Sequence, residues 1–442
     1  MYKEEFTQFL EKIGNNKIDV LFLCEGNYTK VSTKYEDVIG IETAMNKGGI
    51  INILSDGKIT KIRKSIDKIH IPDNILTHKL LQFLDDDTLD KMKYVTKTEP
   101  VYKEITNRTY VLFSDYLNML DDEKNNIKRI FFDRNIQLKV GMLPDGLSHL
   151  KFDTMYNQPI LKDVLPIGLT HLILGDRYNR PILPKVLPNG LTHLTFGEFY
   201  NKQIEVGVLP DRLKHLQIGG VFSHKFKEGV IPTGLSHLTL KTMDASHTID
   251  TIPTGLTHLV INDYAIRYNN LKKMLPDSLT HLTLGKKFNQ LIDRNILPSG
   301  LTHLTFGNDF DQPIAKGVLP NGLTHLTFGY LFNKPLARGV LPNGLTHLTF
   351  GDLFNQQIDK YMLPHNLLQL EFGFAFNQSF DTYVLPNGMT HLTFGHEFDQ
   401  IFTRGVLPSN LIYLTFGENF DQIFIKGVLP NTRLQMLLRG QN

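Results

Sequence analysis

The sequence contains no tryptophan and almost no cysteine. Cys24 is the single cysteine among 442 residues, which excludes a disulfide framework and suits a reducing compartment. No apolar run reaches the length of about eighteen residues that a transmembrane helix needs. The charged first residues also lack the apolar segment of a signal peptide. We therefore expect an intracellular, cytoplasmic protein.

Net charge is nearly absent as well. The 47 lysines and arginines are balanced by 45 aspartates and glutamates, which leaves a formal charge of +2. This balance gives no electrostatic argument for nucleic acid or an anionic membrane as a partner. The length of the chain is compatible with two or three domains.

One phrase recurs through residues 143–428 at a fixed interval. Its clearest form, LPNGLTHLTFG, begins at Leu319, and the interval is 22 residues apart from one 21 and one compensating 23 around Ile252. The thirteen full copies and a final partial copy begin at Leu143, Leu165, Leu187, Leu209, Ile231, Ile252, Leu275, Leu297, Leu319, Leu341, Leu363, Leu385, Leu407 and Leu429. A fixed period of this length is typical of a solenoid or array.

The apolar residues of each copy define an inner surface. With the first Leu or Ile as position 0, the motif Leu-x-x-Leu-x-Phe fills positions 4 to 9, and its alternation is typical of a short half-buried strand. Positions 7 and 9 should point inward, and positions 6 and 8, mostly His and Thr, outward. Gly ends the strand at position 10 in ten of thirteen copies, where free φ would suit a turn. The pattern resembles leucine-rich repeats (LRRs) and predicts an LRR-like parallel β-solenoid of about thirteen 22-residue coils.

The segments that flank the array are less regular. Residues 1–70 indicate a small α/β segment of unknown role, with a hairpin around Ile50–Leu54 between Gly-rich turns. Residues 106–142 are interpreted as a linker and N-terminal solenoid cap, with a helix from Asp115 to Asn126 and a degenerate first coil. Residues 429–442, where the last copy is irregular, are interpreted as a C-terminal cap.

Residues 71–105 have the pattern of two short helices. Pro72 with Asp73 marks a helix start, leucines follow at helical spacing, and an Asp-rich break separates a second apolar face. The segment resembles an F-box, although that family often has a Trp after the second helix and this chain has none. The alternative is a generic helical hairpin that caps the solenoid. The residues that the resemblance places against a Skp-type adaptor are Pro72, Leu76, Leu80, Leu84 and Leu89.

The residues after each strand carry a second resemblance. They read Tyr-Asn-Gln-Pro-Ile at Tyr156–Ile160 and Phe-Asp-Gln-Pro-Ile at Phe310–Ile314. Together with LPxGLTHLTFG, these phrases resemble the FNIP repeat family of slime moulds and giant amoeba viruses over residues 143–442. An F-box-like segment ahead of such repeats resembles the F-box and FNIP repeat-containing proteins of mimiviruses.

That resemblance implies a non-catalytic adaptor. The F-box would bind a Skp-type subunit of a cullin ubiquitin ligase, the repeats would bind an unidentified protein target, and a viral protein would act in the host-cell cytoplasm. The alternatives are a plain repeat scaffold or a structural component of a virion, without a ubiquitin role. The spacing specifies no acid pair and no nucleophile with a base, and we expect no cofactor.

Histidine fills position 6 in eleven of thirteen copies. Parallel strands would place these rings in a ladder with steps of about 4.8 Å. A metal row is one interpretation, but identical rings in a straight line supply poor tetrahedral geometry for zinc. We favour a neutral stacked ladder that loses stability below about pH 6. The residues are His149, His171, His193, His215, His237, His258, His281, His303, His325, His347 and His391.

Two sets of positions vary enough to recognise a partner. Positions 11 and 12 differ from copy to copy, as in Lys286-Lys287 and Tyr330-Leu331. A cation also recurs before the closing Gly-Val, and it predicts a basic edge for an acidic partner; the alternative is a solvated edge that prevents end-to-end association. These cations are Lys316, Arg338, Arg404 and Lys426.

Overall fold

The structure is a computed structural model that divides the chain into two compact units. The units are Met1–Phe131 and Phe132–Asn442. The described residues are the strand backbones at 17–24, 27–34, 50–55 and 58–63, and residues 110–241, 252–262, 271–272, 275–430 and 434–438. The F-box-like segment predicted at 71–105 lies outside the described residues.

The first unit contains an antiparallel sheet of four strands in the order β2-β1-β3-β4. The strands are β1 Lys17–Cys24, β2 Asn27–Lys34, β3 Ile50–Ser55 and β4 Lys58–Arg63. The predicted hairpin is confirmed, because β3 pairs with β4 and Ser55 lies opposite Lys58 across Asp56-Gly57. The hairpin of β1 and β2, in which Cys24 lies opposite Asn27, was not predicted.

The single helix predicted from Asp115 to Asn126 is wrong. The segment forms β5 Val111–Leu112, α1 Phe113–Leu117, α2 Asp121–Lys124 and β6 Arg129–Phe132. Two local interactions break the helix. The backbone N–H of Asn118 closes α1 on the carbonyl of Asp115. The extended Leu120 then donates its backbone N–H to the Glu123 carboxylate at 3.1 Å, which caps a new helix.

The second unit is a parallel β-solenoid, as predicted. Its strands pair in register, so that each position-7 Leu lies beside the Leu of the next coil, as Leu304 lies beside Leu326. The partial copy adds a fourteenth strand, in which Met436 takes the place of this Leu. The strands are β7 His149–Phe152, β8 His171–Ile173, β9 His193–Thr195, β10 His215–Ile218, β11 His237–Leu240, β12 His258–Ile261, β13 His281–Thr283, β14 His303–Thr305, β15 His325–Thr327, β16 His347–Thr349, β17 Gln369–Glu371, β18 His391–Thr393, β19 Tyr413–Phe416 and β20 Gln435–Leu438.

Seven apolar positions of a regular coil form its core. In the coil that begins at Leu319 they are the buried residues Leu319, Leu323, Leu326, Phe328, Phe332, Leu336 and Val340. The strand residues alternate between half-buried and buried, which confirms the predicted inward direction of positions 7 and 9. Because each coil buries its apolar side chains against the next coil, the core is continuous along the array.

An asparagine ladder ties successive coils together at position 14. The Oδ1 of Asn355 accepts the backbone N–H of Asn377 at 3.0 Å and the Nε2–H of Gln378 at 2.9 Å. Asp311 performs the same task for the N–H of Asn333 at 2.9 Å. The ladder supplies partners for backbone N–H groups that would otherwise be unsatisfied between coils, which explains why Asn or Asp follows the aromatic residue.

The position-10 glycines serve a different purpose from the predicted one. A Cβ atom on Gly351 would overlap the carbonyl oxygen of Gly329 in the preceding coil, so close approach of coils, not a positive φ, requires glycine there. Positive φ occurs at position 20 instead, where five coils hold a residue with a side chain. The position-20 residues with positive φ are Asp163, Lys185, Gly207, Gly229, Asn295, Gly317, Gly339, Tyr361, Tyr383, Gly405 and Gly427.

The irregular middle of the array keeps its core. We expected a bulge or bend where the spacing changes to 21 and 23 residues, and the segments that absorb the change, 242–251 and 263–270, lie outside the described residues. Strands β11, β12 and β13 remain in register. Leu238, Leu259 and Leu282 are each 1% exposed, which confirms the prediction that these leucines keep their places.

Candidate protein-interaction surface

The outward strand face carries a stack of ten histidine rings, from His149 to His347. Ring centroids of neighbouring coils lie 4.0 to 4.1 Å apart, with interplanar angles of 9 to 24°. Gln369 interrupts the stack, and His391 beyond it stacks on Tyr413 at 4.6 Å. The predicted ladder is therefore present and is continuous over ten coils.

In most coils the residue before the histidine fixes the tautomer of the neutral ring. Thr302 donates its only hydroxyl proton to the carbonyl oxygen of Thr280 at 3.0 Å. The 2.9 Å contact between the Thr302 hydroxyl and Nδ1 of His303 therefore requires Nδ1–H as the donor. The proton then resides on Nδ1, and Nε2 carries the lone pair. The same pair of contacts recurs in most coils, but Lys214 leaves His215 without a hydroxyl partner.

The stack resists protonation. Burial is the largest cause, and the neighbouring rings add Coulombic repulsion that lowers the pKa of His303 from 6.5 to about 4. The pKa of His281 and of His347 is lowered from the same two causes. These rings are therefore neutral at pH 7, and a proton on one ring disfavours a proton on the next.

The geometry of the stack does not create a chelating site. Because neighbouring rings are nearly parallel and held by equivalent hydroxyls, their Nε2 lone pairs point in one direction instead of converging on one ion. In the part of the chain that the structure describes, no group of three or more His, Cys, Asp and Glu side chains is placed to hold a metal ion. The stack is better described as a structural ladder.

The leading rim, positions 18 to 20 before each Leu-Pro pair, contains the predicted cations. Lys316, Arg338, Arg404 and Lys426 all occupy position 19 of their coils, with Lys360 and Thr382 between them. The side chains are held in two ways. Arg404 donates from Nε and Nη2 to the Lys426 carbonyl at 3.1 and 2.9 Å, whereas the Arg338 guanidinium lies 5.2 Å from the ring centre of Tyr361. The rim is not uniformly basic, since the exposed Asp359 and Asp381 occupy position 18.

Two exposed tyrosines on the leading rim were not predicted from the sequence. Tyr361 and Tyr383 have φ of 68° and are 76% and 74% exposed, in a conformation that costs an aromatic residue about 1–2 kcal/mol. Arg338 and Lys360 of the preceding coils lie over their rings at 5.2 and 5.4 Å. The sequence could have indicated them, because a bulky residue stands at position 20, where six other coils have Gly.

The trailing rim consists of positions 11 and 12, directly after the position-10 glycine. The position-12 N–H of one coil donates to the position-11 carbonyl of the coil before. Leu331 donates to Asn308 at 2.8 Å and Leu353 to Tyr330 at 3.0 Å. The variable residues, which were predicted to recognise a partner, are therefore displayed on a regular backbone.

The predicted Skp-contacting residues lie outside the described part of the chain. They are Pro72, Leu76, Leu80, Leu84 and Leu89. Among the helices that the structure does describe, none has the length and apolar character needed to cross a membrane.

This architecture is also found in a solved structure. It is described as the crystal structure of CroV588, "a novel circular LRR protein structure", and it is 42% identical with a TM-score of 0.63. The similarity covers 76% of this chain and 50% of that chain, so it spans half the length of that protein. Comparison with curated protein sequences gave no significant match.

A family model, FNIP Repeat, matches most of the array. The matched residues are 156–199, 200–242, 246–287, 268–309, 288–331, 332–375, 376–418 and 398–433. These matches cover the Phe-Asn phrases, the asparagine ladder and the buried aromatic residues, and they extend over more than half of the chain. The chain therefore belongs to the FNIP repeat family.

Proposed function

We propose that this protein is a non-catalytic adaptor whose FNIP repeats bind a protein target. The main support is that the buried core is the same in every regular coil while the residues on the rims vary. Every regular coil repeats the same buried residues and the same asparagine bond, while exposed positions 11 and 12 change from coil to coil. Solenoids use extended surfaces of this kind to bind partners.

The second half of the proposal concerns residues 71–105. We propose that they bind a Skp-type subunit and connect the array to a cullin ubiquitin ligase. Support comes from the F-box-like pattern alone, with Pro72, Leu76 and Leu80 among the contacting residues. The position-19 cations remain a predicted contact for an acidic part of the target.

A binding assay tests the connection to the ligase. Purified Skp-type adaptor is passed over immobilised wild-type chain and over Leu76→Asp/Leu80→Asp, with the circular dichroism of both proteins compared first. Retention by the wild type and loss in the double variant are expected. If the folded wild type retains no adaptor, the ubiquitin role is wrong, and a repeat scaffold without that role is the remaining function.

A further inference from the structure

The trailing rim changes character in three consecutive coils. Tyr330, Leu331, Leu353 and Phe374 are 48%, 36%, 37% and 49% exposed. The coils on either side carry polar pairs, Asn308-Asp309 and His396-Glu397. We call Tyr330, Leu331, Leu353 and Phe374 the rim patch. An exposed apolar cluster with a polar border is typical of an interaction site.

The rim patch is held in place before any partner arrives. Its backbone continues the inter-coil ladder, with Leu353 N–H donating to Tyr330 at 3.0 Å and Ala375 N–H donating to Asp352 at 2.7 Å. The ring of Phe374 stacks on His396 with centroids 4.7 Å apart and an angle of 8°. A preformed surface loses little conformational entropy on binding, so more of the contact energy becomes affinity.

The charged residues at positions 11 and 12 around the rim patch are acidic. From Asn308 to Asn419, positions 11 and 12 contain no lysine or arginine. Asp352 lies between the apolar residues. His396 lies between two glutamates, with its Nδ1 3.0 Å from Oε1 of Glu397 and its Nε2 3.5 Å from Oε2 of Glu418. On the opposite border Asp309 is already paired with Lys287 at 3.0 Å. The rim patch is thus an apolar surface in an acidic border.

We propose that the rim patch binds a basic amphipathic segment of a partner protein. Leucine or aromatic side chains of the partner would cover Leu331 and Leu353. Its arginines would stack on Tyr330 and pair with Asp352 or Glu397, because guanidinium groups bind both aromatic faces and carboxylates. An acidic segment would meet like charge at Asp352 and Glu397. This inference rests on the proposed function and specifies the chemistry of the target.

Peptide ligands are first selected, and variants of the protein then show whether they bind at the rim patch. A random peptide display library is panned on the full wild-type chain, and enriched peptides are synthesised with a fluorophore for anisotropy measurements. The test variant is Leu331→Gln/Leu353→Gln, which removes apolar surface without adding charge. The control is Met155→Gln, the same apolar-to-polar change at position 12 of another coil, where Met155 is 53% exposed. All three side chains are exposed, so both variants should keep the wild-type melting temperature.

The expected peptides combine Arg or Lys with leucine or aromatic residues. They should bind wild type and Met155→Gln equally, and Leu331→Gln/Leu353→Gln about tenfold or more weakly. Asp352→Lys should also weaken them. Three results would overturn the inference: no enriched peptides, peptides of acidic composition, or equal binding to the test variant. Equal binding would leave the proposed target-binding role intact, and the Skp assay is independent of this result.

A second copy of the chain is the competing occupant. Sedimentation of wild type and Leu331→Gln/Leu353→Gln distinguishes it. We expect both to sediment as the same species. Self-association of the wild type that the double substitution abolishes would assign the rim patch to a contact between copies and overturn the proposal.

Discussion

Two stacks of rings run along the same array and differ in their contact with water. The inner stack consists of the aromatic residues at positions 9 and 13. Phe350 within it is 2% exposed. Its ring centroid lies 5.6 Å from that of Phe328 and 3.8 Å from that of Phe354. The outer stack consists of the half-buried histidines. The ring centroids of His303 and His325 within it lie 4.0 Å apart. One parallel register produces both stacks.

The difference shows how one repeat can have a pH-independent interior and a pH-dependent face. Phenyl rings gain from leaving water at any pH. Imidazole rings at the same register gain from contact only while they are neutral, because burial and neighbouring charge both oppose protonation. Substitutions in one stack, or in the ladder between coils, should leave the other stack intact.

The largest loss should follow from removal of an inner ring. Phe350→Ala deletes a ring that packs against Phe328, Phe354 and Phe372, and large-to-small changes of this kind cost about 3–5 kcal/mol. The control, Thr349→Ala, removes an outward side chain of the same strand and should cost about 0.5 kcal/mol or less. Urea unfolding measures both. Equal losses would show that the inner stack is not the main source of stability.

An intermediate loss is expected from the asparagine ladder. Asn355→Ala removes the acceptor of the Asn377 N–H and the Gln378 amide, and an unsatisfied buried donor costs about 1–3 kcal/mol. Asn355→Asp should recover most of this loss, since Asp311 accepts the equivalent N–H. Urea unfolding of the three chains supplies the comparison. A carboxylate that stabilises no better than alanine would contradict the acceptor role.

A smaller effect is expected from pH, and it should arise in the outer stack. The pKa of His303 is lowered to about 4 in the folded protein, whereas an unfolded histidine titrates near 6.5. The unfolded chain therefore binds more protons below 6.5, and stability should fall between pH 6.5 and about 4. Two charged rings at this distance repel by about 1 kcal/mol in a water-like dielectric.

Thermal melts at pH 7.5, 5.5 and 4.5 test this prediction against a variant with a weakened stack. His303→Gln/His325→Gln should show a shallower fall in melting temperature, and glutamine already occupies the position at Gln369. An identical pH dependence in both proteins would place the titrating groups elsewhere.

The sequence alone was sufficient for the period, the strands and their two faces. Each coil repeats the alternation at His-Leu-Thr-Phe, so the inward direction of Leu348 and Phe350 follows from a single copy. The histidine stack also follows, because identical residues in register must be neighbours. The helix at Asp115–Asn126 was mispredicted because a cap between Leu120 and Glu123 outweighs helical spacing.

Features that depend on distances between coils could not be predicted. Gly351 is required by the approach of the Gly329 carbonyl, which no pattern within one coil reveals. The tautomer of His303 depends on a bond from Thr302 to the coil before. The rim patch depends on which variable residues become neighbours, and that requires the register of β15 to β18.

The smallest effect should follow from removal of a hydroxyl in the inner stack. Tyr156, Tyr178 and Tyr200 are buried, and their hydroxyls have no hydrogen-bond partner of normal geometry. Burial raises the pKa of Tyr156 to about 12 and is also the largest cause of the raised pKa of Tyr178. Later coils place Phe at the same position, as at Phe310.

Tyr178→Phe should therefore be neutral or stabilise the protein by up to about 1 kcal/mol, because it removes a desolvated hydroxyl and keeps the ring. The reverse change, Phe310→Tyr, should be destabilising. Urea unfolding of both variants gives the sign. If Tyr178→Phe lost about 1 kcal/mol or more, the hydroxyl would have to make a net favourable bond. The inner stack would then share a property of the outer one, a polar contact that stabilises a ring in its coil.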